Sequence, residues 1–266
     1  MSPAPEAPPA DAAAVLGRPR LHLRVTDSTN ERARELAGAG APHGSLVTAG
    51  EQTAGRGRQG RRWAAPPGSS LLASLVLRPA PRLLPLAAAL AVSDAVDGSP
   101  GAERRGAARI KWPNDVVLER DEQLAKLAGI LIEARVGGSE ENWAVLGIGL
   151  NVAVELGELP GELRETAATL GLAPDATEPL LGALIDALAL RLAEPPELTL
   201  AAFSERDALR GREVSWGPAP PGAGRAGAAG SGVAQGIDGD GRLVVALEGG
   251  GRTALGSGEV HLRPPG

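Results

Sequence analysis

Apolar and polar positions change rhythm several times along this chain. Residues 21–25 and 69–77 alternate in the period of a half-buried strand, and residues 46–49 give a short apolar run of the same kind. Between them, Ser28 followed three residues later by Glu31 has the spacing of a capping box, and Gly38 suits a C-cap, so a short helix is expected from about Ser28. Residues 83–96 are apolar on all sides and predict a buried helix. Residues 109–112 and 116–118 read as short strands around a Pro-Asn-Asp turn, and residues 127–134 and 143–152, rich in Ile, Leu and Val, as the strongest later strands.

Beyond residue 152 the pattern turns helical, over 180–192 and 200–209. From Gly211 onward it breaks into short strand signals at 213–216, 233–237, 242–247, 252–255 and 260–262, with a hairpin turn at Asp238-Gly239-Asp240-Gly241. The Gly- and Arg-rich residues 50–68 and the Gly/Ala/Pro-rich residues 217–232 are expected to be loops, the second mobile. The expected organisation is an Ala/Pro-rich disordered tail over 1–17, a mixed-sheet α+β domain over 18–210, and a small β-barrel over 211–266.

Composition narrows the chemistry. Hydrophobic residues are 43% and charged residues 22% of 266, ordinary for a folded chain. The longest apolar run is interrupted by Pro85, too short for a bilayer, and no basic start precedes an apolar core at the N-terminus. The expectation is a cytoplasmic protein without membrane association. Cysteine is absent, which removes thiolate nucleophiles and Cys-ligated zinc, and the histidines are only His22, His43 and His261. A net charge of −5 argues against coating nucleic acid. Of 27 cationic residues, Lys111 and Lys126 alone are lysine, which suggests positions where a guanidinium would not serve.

Four segments carry candidate chemistry. Gly55-Arg56-Gly57-Arg58-Gln59-Gly60-Arg61-Arg62-Trp63 concentrates four arginines in an acidic chain. Glycines let backbone approach a ligand, guanidinium forks bind phosphate, and Trp63 offers a flat face. It is not a P-loop. Lys111-Trp112-Pro113-Asn114-Asp115 places a cation, an amide and a carboxylate on one turn, and Asp115 suits Mg²⁺. Lys126 stands where a buried strand opens, ahead of Gly129, where it suits charge stabilisation at a pocket edge. Gly147-Ile148-Gly149-Leu150-Asn151 leaves room for a flat ligand, with Asn151 placed to read an adenine edge.

With Ser28-Thr29-Asn30 and Gln52, these motifs occur in an order that resembles bacterial biotin–protein ligases, from about residue 21 to 160. The ending Gly256-Ser257-Gly258-Glu259-Val260-His261-Leu262-Arg263 is similar to the family's SH3-like C-terminal domain. The resemblance implies a catalytic domain like that of class II aminoacyl-tRNA synthetases and a two-step reaction. Biotin and ATP give biotinyl-5′-adenylate, and a lysine of a biotin carboxyl carrier domain of an acyl-CoA carboxylase then takes the biotin. It implies that Ser28, Thr29, Asn30, Gln52, Arg56, Gly57, Arg58 and Lys126 hold biotin. ATP or the adenylate would meet Arg56, Arg58, Arg61, Trp63, Lys111, Asn114 and Asn151. Lys126, Arg58, Asp115 and Lys111 would be catalytic, Asp115 would bind Mg²⁺, and the Arg-Gly loop would close over the adenylate.

Some members of this family carry an N-terminal DNA-binding domain. Only 26 residues precede Asp27, so a monofunctional ligase without DNA binding is expected. Two alternatives stand beside this reading. Lipoate–protein ligases share the fold and the adenylate chemistry, and an RNA-binding module would use the Arg-Gly loop, although aromatic residues are scarce at 2%.

Overall fold

The computed structural model describes residues 16–120, 123–135, 142–217, 229–256 and 260–262. The N-terminal part is built from β1 (Arg20–Leu23), α1 (Thr29–Gly38), β2 (Leu46–Ala49), β3 (Ser70–Leu77), α2 (Leu84–Asp97), α3 (Ala102–Arg105), β4 (Arg109–Lys111), β5 (Asp115–Arg120), β6 (Gln123–Arg135), β7 (Trp143–Asn151), α4 (Gly161–Arg164), α5 (Thr177–Ala193) and α6 (Pro196–Arg206). Its seven strands form one sheet in the order β1-β2-β3-β7-β6-β5-β4. The β1–β2 pair is parallel and the others are antiparallel, the mixed α+β arrangement that the sequence predicts.

Helices cover both faces of the sheet. The small residues Ala33 and Ala37 let α1 sit closely on Val47, Val76 and Val145. On the opposite face α2, with nearly every residue buried, packs with α5 and α6 against the central strands. Burial on both faces explains why β3 is buried at every position instead of alternating in exposure.

The remaining strands, β8 (Glu213–Trp216), β9 (Gly230–Ile237), β10 (Leu243–Ala246), β11 (Arg252–Leu255) and β12 (Val260–Leu262), make an antiparallel sheet in the order β11-β10-β9-β8-β12. This C-terminal sheet shares its apolar core with the larger part. Residues 207 and 208 link the two, because Ala208 N–H donates to the Ile110 carbonyl and so covers the β4 edge. Among the described residues no helix is long and apolar enough to cross a membrane.

Several local expectations need correction. Leu16 is buried and Gly17 N–H donates to the Gly44 carbonyl, so the folded body begins before residue 18. The remainder of the expected tail, residues 1–15, lies outside the described residues, as do residues 218–228 of the expected loop. Gly230, Ser231 and Gly232 belong to β9 instead of a loop. Their glycines serve packing: a methyl at Gly230 would lie 2.5 Å from the Trp216 ring, and one at Gly232 would lie 2.1 Å from the Ala246 carbonyl oxygen. The capping box is not made, since the Ser28 side chain caps nothing and Glu31 turns to arginines. The helix also runs through Gly38. It closes at Gly40, whose φ of +86° allows its N–H to reach the Ala37 carbonyl while Ala41 N–H reaches that of Leu36. The helix expected over 200–209 is α6, shifted toward the N-terminus.

Candidate active site

The sheet face that α1 covers continues past the N-terminus of that helix as the floor of a cavity of about 350 Å³. Along β7, Trp143 and Val145 pack against α1, and the next residues on the same face are Gly147 and Gly149. The sequence suggests that these glycines clear space for a flat ligand. The cleared space is instead filled by the protein's own side chains. A methyl at Gly147 would lie 1.9 Å from Asn30 Oδ1, and one at Gly149 would lie 2.6 Å from the Trp63 ring.

One end of the cavity is a buried polar network. Asn30 Nδ2 donates to Glu133 Oε2 at 2.9 Å, which leaves Asn30 Oδ1 to accept from Ser74 Oγ at 2.7 Å. Ser74 Oγ is also 2.8 Å from Thr29 Oγ1. Gln52 Oε1 accepts the Thr29 backbone N–H at 2.7 Å, and so satisfies one of the donors that a helix start leaves unpaired. Gln52, 23 residues away in sequence, does what the capping box does not. Asn30, Thr29, Ser28 and Ser74 are all buried. Buried polar groups bonded in this way are fixed in orientation before any ligand arrives.

The Arg-Gly segment is a tight hairpin, not an open loop. Trp63 N–H donates to the Gly55 carbonyl and Gly57 N–H to that of Arg61, at 3.0 and 2.7 Å. The tip turns through Gln59 and Gly60, both with positive φ, which is the conformation of a type I′ turn. Gly55 is required because a methyl there would lie 2.7 Å from the Trp63 carbonyl oxygen. The hairpin spans the cavity: Arg58 donates to Asn114 Oδ1 at 2.8 Å on the far wall, and Arg56 pairs with Glu31 at 2.9 Å on the near side. Asn114 is itself tied to β6, its Nδ2 donating to the Ile130 carbonyl at 3.0 Å.

Lys126 lies between the two ends. It stands inside β6, three residues past the strand's start, where the register against β5 slips by one residue: Val116 faces Ala128 but Val117 faces Lys126. Such a bulge re-aims a side chain. The Lys126 backbone is held by residues 166–168, its N–H donating to the Thr166 carbonyl at 2.7 Å. Its Nζ meets Asp115 Oδ1 at 2.7 Å and sits 6.0 Å from the centroid of the Trp63 ring. The Trp63 indole N–H is buried without a partner.

Asp115 therefore faces a lysine. Among the described residues no group of three or more carboxylates and histidines could cage a metal. That donor set fits an ion delivered on phosphate oxygens, with one protein carboxylate beside it, better than a resident metal.

Every residue to which the resemblance assigns a binding or catalytic role borders this one cavity: Ser28, Thr29, Asn30, Gln52, Arg56, Gly57, Arg58, Arg61, Trp63, Lys111, Asn114, Asp115, Lys126 and Asn151. Asn151 is buried with its amide already engaged, Nδ2 donating to the Ala168 carbonyl at 2.8 Å.

Comparison with known proteins follows the same order along the chain. Residues 22–151 match the Biotin/lipoate A/B protein ligase family, and residues 225–263 match the biotin protein ligase C-terminal domain. A biotin–[acetyl-CoA-carboxylase] ligase of Mycobacterium tuberculosis is 35% identical over 257 residues, which is 90% of this chain and 87% of that protein. The chain belongs to the biotin protein ligase family. Among solved structures, Aquifex aeolicus biotin protein ligase in complex with biotin and ATP has a TM-score of 0.70 at 25% identity, covering 93% of this chain and all of that one. The bifunctional ligase/repressor BirA of Bacillus subtilis is 37% identical over 164 residues, covering 60% of this chain but 48% of that protein. The chain thus spans about half the length of that relative.

Family membership leaves three features of the site that sequence reasoning missed. Ser74 and Glu133 complete the polar network, yet Ser74 reads as one small residue in an apolar strand and Glu133 as a strand-end charge. Leu159, Leu163, Thr166 and Ala167 wall the cavity beside Lys126, from a stretch without a clear period. The third is the pairing of Arg56 with Glu31, for which the failed capping box was the available sign.

Proposed function

We propose that this chain is an ATP-dependent biotin–protein ligase. In the first half-reaction the biotin carboxylate attacks the α-phosphorus of ATP, pyrophosphate leaves, and biotinyl-5′-adenylate forms. In the second, a lysine amine of a biotin carboxyl carrier domain attacks the acyl carbon, and AMP leaves as the amide forms. Neither step needs a covalent enzyme nucleophile. Both need the reactants aligned, negative charge compensated and water excluded.

The observation that carries this reading is the position of Lys126, between a fixed polar end and a strap of arginines. The side chains that line the fixed end, Ser28, Thr29, Asn30 and Gln52, are uncharged and suit a ureido ring, which carries donors and acceptors but no charge. Arg56, Arg58, Arg61, Lys111 and Asn114 are assigned to the phosphates, and Trp63 and Asn151 to the adenine side. Lys126 compensates charge where the carboxylate meets the α-phosphate. Mg²⁺ enters as part of the nucleotide substrate, with Asp115 as its protein contact. The hairpin of residues 55–63 keeps water from the mixed anhydride. The relatives' printed activities support biotin over lipoate.

The test is transfer. Incubated with ATP, Mg²⁺, biotin and a biotin carboxyl carrier domain, the protein should add one biotinyl group to the carrier, detected by intact mass. A carrier with its target lysine changed to arginine should stay unmodified. No transfer to the intact carrier would refute the reading.

A further inference from the structure

The turn of residues 238–242 in the C-terminal sheet has no part in the site, yet it is built rigidly and pressed against the larger part. Asp238 carboxylate oxygens accept from the N–H groups of Asp240 and Arg242 at 2.9 and 3.0 Å and from Arg242 Nε at 2.8 Å. That bonding fixes the turn internally. Gly241 has a φ of +73°, and a methyl there would lie 3.0 Å from Leu86 and 3.2 Å from Leu83, so the turn is seated on the start of α2. Arg82, next to those leucines, pairs with the Asp240 carboxylate and donates to the Gly239 carbonyl.

From this seat the Gly241 carbonyl accepts the indole N–H of Trp112 at 3.0 Å. Trp112 is 2% exposed, and it is the residue between Lys111, on the cavity wall, and the turn that carries Asn114 and Asp115. Among the described residues none of the C-terminal sheet lines the cavity. This ring therefore gives the C-terminal sheet a direct link to the wall of the site.

We propose that the 238–242 turn positions the phosphate end of the cavity by holding Trp112, and with it Lys111, Asn114 and Asp115. Trp112 and Gly241 are positioning residues: they touch no reactant, and their effect falls on the nucleotide and not on biotin. This inference rests on the ligase reading for which substrate meets which end.

Two variants of the full chain test it. Trp112→Phe keeps an aromatic ring and removes the N–H. Gly241→Ala strains the positive φ and pushes the turn off Leu86, and it serves if the buried Trp112 change does not fold. The effect passed on to the nucleotide is bounded by the worth of the bond itself, about fivefold to tenfold in affinity. Each variant that folds is expected to weaken ATP binding by calorimetry, and to raise the KM for ATP, by up to that factor. The KM for biotin should stay within about twofold, since Asn30, Thr29 and Gln52 do not contact this turn. Equal effects on the two substrates, or none on ATP, would overturn the proposal. Failure of the ligase reading would look different: the unsubstituted protein would make no biotinyl-adenylate, and the calorimetric ATP affinities would still decide for or against the turn.

Discussion

Asn30, Thr29 and Ser74, at one end of the cavity, are at most 4% exposed, and each is bonded to its neighbours. Away from that end, Lys126 in the middle of the cavity and Arg56 in the strap keep side-chain exposures of 39% and 49%, and Arg58 reaches the far wall at Asn114. The first end is complete without a ligand. The rest is a set of charged and polar groups bonded to one another: Lys126 to Asp115, Arg56 to Glu31, Arg58 to Asn114. A phosphate would replace these partners with stronger, charge-assisted ones. The difference suits substrates of different kinds. A neutral ring gains most from donors and acceptors already in place, whereas a triphosphate can draw flexible cations around itself and close the strap.

The comparison breaks first at Lys126. Lys126→Ala is expected to lower the rate of adenylate formation by about two to three orders of magnitude, as for loss of one preorganised charge stabiliser. The fold should survive, because the side chain is partly exposed and its strand is held by backbone bonds. Lys126→Arg should recover little, since a planar fork does not replace a compact ammonium. Pyrophosphate release measures both, and near-normal turnover in Lys126→Ala would remove the charged end from the chemistry.

The fixed end is probed by Gly147→Ala. The added methyl would meet Asn30 Oδ1 at 1.9 Å, so Asn30 must move and its bonds to Ser74 and Glu133 must break. The expected cost is about 1–3 kcal/mol in unfolding free energy, with about a tenfold or greater rise in the KM for biotin. The KM for ATP should change little. Equal changes in the two would mean that the ends are not separately built.

Arg58→Ala opens the strap at Asn114. It should let biotinyl-adenylate escape several-fold faster, seen as free adenylate in a reaction without carrier. Unchanged leakage would count against a shielding role for the hairpin.

The smallest effect is expected away from both ends. Burial holds the His43 imidazole below its ordinary value of about 6.5, against some opposition from its bond with Arg78. A lowered folded-state value means that the contribution is fully present above pH 6.5 and is lost as pH falls through the lower value. The Tm should therefore fall slightly below pH 6.5, less so in His43→Gln, while the ratio of the two KM values stays constant.

Legibility in the sequence followed the same division. The charged end is legible because four arginines crowd into residues 56–62 of an acidic chain, and because Lys111 and Lys126, its two lysines, flank an Asn-Asp turn. The sheet was readable from β3, β6 and β7, whose apolar runs are long. The fixed end was only half readable. Ser28, Thr29, Asn30 and Gln52 stood out through family likeness, but Ser74 and Glu133 acquire meaning only when β3, β6 and β7 lie side by side and bring them to Asn30. Gly147 and Gly149 are legible as cleared space. Sequence could not tell that Asn30 and Trp63, over 80 residues away, fill it. The bulge at Lys126 was hidden for a similar reason, since a slip of one residue depends on the partner strand.

The most direct measurement is to incubate the purified protein with Mg²⁺, ATP and either biotin or lipoate, and to read the products by mass spectrometry. If the fixed end takes the ureido ring and the charged end the phosphates, as proposed, biotin should give biotinyl-adenylate and lipoate no acyl-adenylate. An adenylate from lipoate alone, or from neither acid, would contradict it.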